Sequence, residues 1–393
     1  MATILNAERF RWADDYESLC MMFVLDRAER ELIAAFGGDP QLIRLYRSSE
    51  ALKLLSPEYL YQPIVRVGRA GPSVFTTEVL SVEGGRTEVL RRASAGTRAV
   101  SVMRSGNAMV HFAYAEDGEV VTGFEAGTPE QRGGTDPDRL VPNLARVGLL
   151  GDRSRLGGRL ATCLLLAAEV LGITFDAADF RKPLPGAPVL PLLPTPLVPE
   201  TDRARAQLIG SPFVSAAVAG AADEHLWPAV RGLASRMLTM ADLLGDRDLG
   251  DALHRDGNEE PSILRDDEAL GMRIRVLIAE GTGAESSGEV SLRRSAGLST
   301  EERQRRLRRR AAAMAVHAAL VLPPRSAMYA LLHLRQRAAW PSPPELDLSY
   351  LPEPPPSEVE RQAALFGDLH SGARTRVVKA PASRPSGPRP QRR

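Results

Sequence analysis

Between Pro183 and Pro199, seven of seventeen residues are proline. Each proline removes a backbone donor and fixes φ near about −65°, so neither a helix nor a central strand is expected to run through this stretch. It divides a chain of 393 residues, which at roughly 100–200 residues per domain has room for two or three units. The expected organisation is an α+β module over residues 1–180, a proline-rich linker over 181–200, a helical region over 201–340, and a proline-rich and basic disordered tail over 341–393.

Ahead of the linker, Trp12, Tyr16, Leu19 and Phe23 recur at steps of four, three and four. This spacing predicts a first helix with an aromatic stripe. Asp26 and Glu29 have the spacing of a capping box for a second helix carrying Leu32, Ile33 and Phe36 and ending at Gly37-Gly38. The period then changes. Residues 63–68, 73–81, 98–104, 107–115 and 119–125 are rich in Val, Ile, Phe and Thr, and Ser105-Gly106 and Asp117-Gly118 supply turns between the last three. They predict an antiparallel meander of about five strands with helices on one side, interrupted by a helix over 87–93. Pro137 behind Asp136 opens a further helix with Leu140, Leu144 and Val147 inward, and another is expected over 158–171.

Beyond the linker, 204–209, 215–222 and 228–244 read as helices, 256–260 and 281–288 as polar interruptions, and 272–279 as either helix or strand. Ser299 and Glu302 repeat the capping-box spacing. The helix they open carries Leu307, Ala311, Met314, Ala318 and Val321, stops at Pro323-Pro324 and turns back over 325–339. That helical hairpin, 299–339, is followed by returning prolines. Residues 371–393 hold seven basic and no acidic residues, which predicts a disordered tail.

Composition excludes more than it identifies. With 50 basic and 49 acidic residues the net charge is +1, so no global field draws the chain to nucleic acid, membrane or acidic substrate. Cys20 and Cys163 sit singly in apolar stretches, as buried thiols of a reducing compartment do, and leave no disulfide framework or cysteine metal site. Glu8, Arg9 and Arg11 precede any apolar run, and the longest weakly polar stretches reach about a dozen residues against the ~20 that span a bilayer. A cytoplasmic location is expected.

Several segments resemble an actinobacterial family of domains of unknown function. They are Ser94-Ala-Gly-Thr97 with Ala99-Val100-Ser101, Phe112-Ala-Tyr114-Ala115 before Asp117-Gly118, Leu32 to Pro40 ending in Gly-Gly-Asp-Pro, Arg132-Gly-Gly-Thr-Asp136-Pro137-Asp138, and Leu166-Ala-Ala-Glu169 with Leu171-Gly-Ile-Thr174. The resemblance covers about residues 10–180. Where family members carry a tryptophan shortly before a glutamate, this chain reads Ser73-Val-Phe75 ahead of Glu78. The family has no established activity, so the resemblance implies a domain and no chemistry.

The candidate chemistry is sparse. Ser94, Gly96 and Thr97 read as a turn in which hydroxyls bond local backbone, and Ser94, Thr97 and His111 make up a possible polar site. There is no Gly-x-Ser-x-Gly elbow and no Gly-Lys-Ser/Thr phosphate loop, and Gly281-Thr-Gly-Ala284 lacks the strand-to-helix setting. Asp14, Asp15, Asp136 and Asp138 are read as helix-initiating residues, and His254, Asp256, Glu259 and Glu260 match no zinc or calcium spacing. Neither a metal nor a cofactor is expected.

The Arg303–Arg310 run contains six arginines, of which Arg305, Arg306, Arg308 and Arg309 are expected to fan over the helix face opposite Leu307 and Ala311. The preferred reading is a non-enzymatic protein-interaction or adaptor protein with a protein partner. The alternative is nucleic-acid association through those arginines, with weak polyanion binding by the tail; an enzyme with an unfamiliar site ranks third.

Overall fold

The computed structural model describes residues 7–54, 63–150, 158–209, 211–254, 264–284, 298–338, 340–347 and 349–364. A 3-10 helix, Glu8–Asp15, leads into β1 (Leu19–Leu25), α1 (Glu29–Ala35), β2 (Arg44–Tyr46) and α2 (Ser48–Lys53). Then come β3 (Ile64–Ala70), β4 (Ser73–Val79), α3 (Thr87–Ser94), β5 (Arg98–Arg104), β6 (Val110–Glu116), β7 (Glu119–Glu125) and β8 (Arg132–Gly133). Helices α4 (Val141–Arg146), α5 (Arg159–Leu171) and α6 (Ala177–Arg181) precede β9 (Leu184–Pro188).

Among the described residues these nine strands form one antiparallel sheet in the order β2-β9-β3-β4-β1-β5-β6-β7-β8. The chain is therefore α+β, with a sheet wider than the expected five strands and helices on both faces rather than one. Leu19, Met21 and Phe23 face a core completed by α5, while Met22 and Val24 face one completed by α1 and α3. Ten of the thirteen α5 residues are buried, because the 3-10 helix closes over the side turned from the sheet. Each leucine so enclosed contributes roughly 1.5–3 kcal/mol.

The expected first helix is instead a 3-10 turn followed by the central strand. All seven residues of β1 are buried because both faces of the sheet are covered. The four-three-four spacing was real, since Trp12, Tyr16, Leu19 and Phe23 do share one core, but two different elements carry it. Helix α1 starts at Glu29 rather than at Asp26, whose φ is +48°, and Glu31 reaches back to the Ala28 amide. The Asp117-Gly118 turn has φ of +51° and +81°, the pair of positive values that a two-residue hairpin loop requires.

Part of the proline-rich stretch is itself a strand. Leu184–Pro188 slots between β2 and β3, with Gly186 opposite both Arg44 and Arg66. Only a short strand tolerates this proline density, and β9 has five residues.

The C-terminal region is mostly helical: α7 (Asp202–Ile209), α8 (Pro212–Gly220), α9 (Asp223–Met240), α10 (Arg247–His254), α11 (Ala269–Ala284), α12 (Thr300–Val321) and α13 (Pro324–Arg337). The stretch 272–279 is helix, and α11 continues through Gly281, where a Cβ would approach Arg310 Cβ to 2.4 Å. Ser299 caps α12 by accepting from the Glu302 amide, and α12 and α13 form the expected hairpin. The basic stretch 371–393 lies outside the described residues.

Residues 189–195 join the sheet to the helical region. Prolines at 188, 191 and 194 leave few donors there, and those of Val189, Leu190, Leu193 and Thr195 reach Pro63 O, Gly37 O, Asp266 Oδ1 and Glu88 Oε1. The carbonyls go to arginines. Arg275 of α11 donates through Nε to Pro191 (2.9 Å), through Nη1 to Asp266 (3.0 Å) and through Nη2 to Leu190 (2.6 Å) and Gly37 (3.2 Å). Arg86 donates to Leu192 (2.7 Å), and Arg92 of α3 pairs with the Asp266 carboxylate.

His317 of α12 packs nearby, lining a cavity of about 20 Å³ with Pro194, Pro196 and Leu197. Burial pushes its pKa down to about 4 from 6.5. The folded chain therefore refuses a proton that the unfolded chain accepts, so stability falls as pH drops from 6.5 to 4 and is unaffected by this group above that window. Against a His317→Gln variant measured in parallel, the wild type is expected to lose roughly 3 kcal/mol over that range. Urea unfolding of both at pH 7 and pH 4 checks this; identical pH dependence would contradict it.

Candidate protein-binding groove

Helix α9 turns Leu226, Ala229, Val230, Leu233, Ala234, Met237 and Leu238 into the core. The adjoining stripe, Glu224, Trp227, Pro228, Arg231, Gly232 and Ser235, steps by three and one along the same helix and lines a groove. Leu253 and His254 from the end of α10 and Tyr350 form its other walls, enclosing about 570 Å³.

The local chemistry follows from the sequence. The Arg231 guanidinium lies 5.7 Å from the centre of the Trp227 ring, a cation–π contact that holds both half-buried side chains along the groove. Pro228 has no N–H to return to the carbonyl of Glu224, so that acceptor is left without its helical donor. Gly232 adds no side chain, and the nearest neighbour to a Cβ there would be Arg236 at 3.6 Å. The result is an aromatic surface with a carboxylate at one end, a guanidinium at its centre and an imidazole on the opposite wall.

Ser94, Thr97 and His111 are not brought together. Ser94 ends α3, buried, with Oγ donating to Arg91 O; Thr97 Oγ1 donates to Leu25 O at 2.9 Å, and Gly96 between them has φ of +72°. His111 sits at the far end of the β5–β6 pair, opposite Met103, whereas Arg98 next to Thr97 pairs with Glu116. Five residues of strand, about 17 Å, separate the two ends.

Of the four α12 arginines expected on an open face, Arg305 is exposed, whereas Arg306, Arg308 and Arg309 are half-buried. Arg306 pairs with Glu302 at 2.7 Å, Arg305 with the same carboxylate at 3.5 Å, and Arg309 with Glu280 of α11 at 3.2 Å. Arg306 and Arg309 are only 14% and 20% exposed, because this face packs on α11. Of the His254, Asp256, Glu259 and Glu260 group only His254 lies within the described residues. Among the described residues no three His, Cys, Asp or Glu side chains are grouped to hold a metal ion.

One buried acid escaped the sequence reading. Glu78 of β4 accepts from Ser81 Oγ (2.6 Å), Gly84 N (2.8 Å) and Glu83 N (3.1 Å), and burial pushes its pKa up to about 7. Ser101 donates to Gly84 O (2.7 Å), and Cys20 stands opposite Glu78 in register with its thiol pKa pushed up by burial. The carboxyl group ties down the turn over 81–84. The α9 groove was missed as well, although its spacing is present in the sequence; alanine and leucine richness drew attention to the buried face instead.

Among the described residues no helix is long and apolar enough to cross a membrane. No curated protein and no solved structure matches the chain. A model described as a family of unknown function, DUF6461, matches residues 7–173, the stretch from the 3-10 helix to the end of α5, so the sheet region is similar to that family while β9 and the helical region lie beyond the match.

Proposed function

We propose that the chain is a non-enzymatic protein-interaction protein of the cytoplasm, an adaptor that takes an extended segment of a partner into the α9 groove. The observation that carries this reading is the convergence of Trp227, Arg231 and Tyr350 on one groove. Trp, Tyr and Arg dominate binding energy at protein interfaces. From Glu224 to Ser235 the helix face runs about 16 Å, the span of roughly five residues of extended peptide. Glu224 and Arg231 give that peptide a direction, since charges of opposite sign sit along the path. The reactive groups elsewhere support a binding role: Glu78 is engaged by three donors, and burial raises the thiols of Cys20 and Cys163 away from ionisation.

Affinity purification from native lysate with wild type, Trp227→Ala and Arg231→Glu tests the reading. The expected result is a partner retained by the wild type and reduced at least tenfold in both variants; Arg231→Glu leaves the apolar core intact and controls for destabilisation by Trp227→Ala, whose ring packs against that core. An unchanged set of retained proteins would contradict it.

Nucleic-acid association through α12 is the weaker reading, because Arg305 and Arg306 share Glu302 and Arg309 pairs with Glu280, which lowers the charge those arginines offer to phosphates. The seven basic residues of 371–393 provide only salt-sensitive, non-specific attraction to polyanions. Replacing Arg305, Arg306, Arg308 and Arg309 by glutamine is expected to leave DNA and RNA retention in a filter assay unchanged. A loss that tracks those four substitutions would favour the α12 reading.

A further inference from the structure

Among the described residues two arginines are buried, and they are treated in opposite ways. Arg275 is 5% exposed and donates to four carbonyls. Arg66 of β3 is 1% exposed, and neither Nη1 nor Nη2 has an acceptor. An ion held in this way gives up its hydration without gaining a hydrogen-bond acceptor at either amino group. Burial accordingly lowers its pKa to about 10, and the Tyr16 phenol is the one group that opposes the shift.

The surroundings of Arg66 are unusual in composition. Its guanidinium lies 5.5 Å from the Phe180 ring centre. Trp12 stacks on Phe180 at 5.1 Å, Tyr16 meets Phe180 edge-on at 5.3 Å, and Trp12 and Tyr16 meet edge-on at 6.3 Å. Trp12 Nε1 is also buried without an acceptor, as is Oγ1 of Thr77, the residue directly opposite Arg66 on β4. On the other side Arg66 faces Gly186 of β9, where a Cβ would come within 2.6 Å of Val65 O and 3.3 Å of Arg66 Cγ. The strand contact therefore leaves the guanidinium directed toward the aromatic rings.

Every unmatched atom in this cluster can donate: two guanidinium amino groups, an indole N–H and a hydroxyl. A positively charged set in which only the hydroxyl can also accept lacks an anionic acceptor, and the planar guanidinium fork matches the paired oxygens of a carboxylate or phosphate. Aromatic walls strengthen such a contact by excluding water. We propose that Arg66, Trp12 and Thr77 form a binding site for a small oxyanion, a carboxylate or phosphate group, boxed by Trp12, Tyr16 and Phe180. Access runs through the segment carrying Trp12 and Tyr16. Both side chains are half-buried, and the 3-10 helix Glu8–Asp15 is held by the weaker hydrogen-bond geometry of that conformation.

The test measures thermal unfolding of the full chain in sodium phosphate, sodium acetate and sodium chloride at matched ionic strength. A saturable rise in melting temperature with phosphate, acetate or both, and none with chloride, is expected for the wild type. A response to one oxyanion only identifies which of the two groups the site takes. Arg66→Met removes the charge at similar length; it is expected to lose the saturable response while unfolding no earlier than the anion-free wild type, because the uncompensated ion is gone. Trp12→Phe keeps the ring box, removes one donor and is expected to weaken the apparent affinity about three- to tenfold, which keeps the test decisive should Arg66→Met fail to fold. Equal responses in wild type and variants, an equal response to chloride, or no response to either oxyanion would overturn the proposal.

Discussion

The junction of the sheet with the helical region depends on the guanidinium of Arg275. It collects carbonyls from three separate parts of the chain: Gly37 after α1, Leu190 and Pro191 in the linker, and Asp266 ahead of α11. An ammonium group presents its donors from a single point and would not span that set, whereas a planar fork does. Gly37 is fitted to the same contact. Its φ is +83°, and a Cβ there would come within 2.6 Å of both Arg275 Nη2 and Leu190 O. Thus a glycine, a proline-rich linker and one arginine specify each other.

This changes what the linker is. A run of prolines in sequence suggests a spacer between independent units, but here the missing donors leave a surplus of carbonyls, and arginines from both sides of the linker take them up. Arg86 comes from beside α3 in the sheet region and Arg275 from the helical region, while Arg92 of α3 pairs with the Asp266 carboxylate instead. The sheet also depends on the stretch after residue 173: β9 fills the gap between β2 and β3, outside the part similar to the family of unknown function. The described linker is therefore part of the folded structure. The α9 groove belongs to a region held against the sheet rather than to one tethered loosely beside it.

Much of this architecture was legible where a local rule sufficed. The β5–β7 meander follows from alternation and from Asp117-Gly118, the α12 start from Ser299, and the α12–α13 hairpin from Pro323-Pro324. Local rules failed where a distant partner decides. Strand β1 mimicked a helix because Trp12 and Tyr16 on one element and Leu19 and Phe23 on another face the same core. Strand β9 was hidden by its prolines. Glu302, four residues from Arg306, was visible as a counter-charge, but Glu280 arrives from α11 and could not be seen. Burial of Arg66 and Arg275 was equally invisible, since an arginine within Val65-Arg66-Val67 has the alternation of a half-exposed strand and only the layer over it reveals otherwise.

Arg275 locks the linker into the folded structure, and the amides of Leu193 and Thr195, bonded to Asp266 and Glu88, report on that lock directly. Hydrogen exchange at these two amides should be slow in the wild type and at least tenfold faster in Arg275→Gln, while exchange along β5 and β6 stays unchanged. Equal exchange at Leu193 and Thr195 in the two proteins would contradict the account.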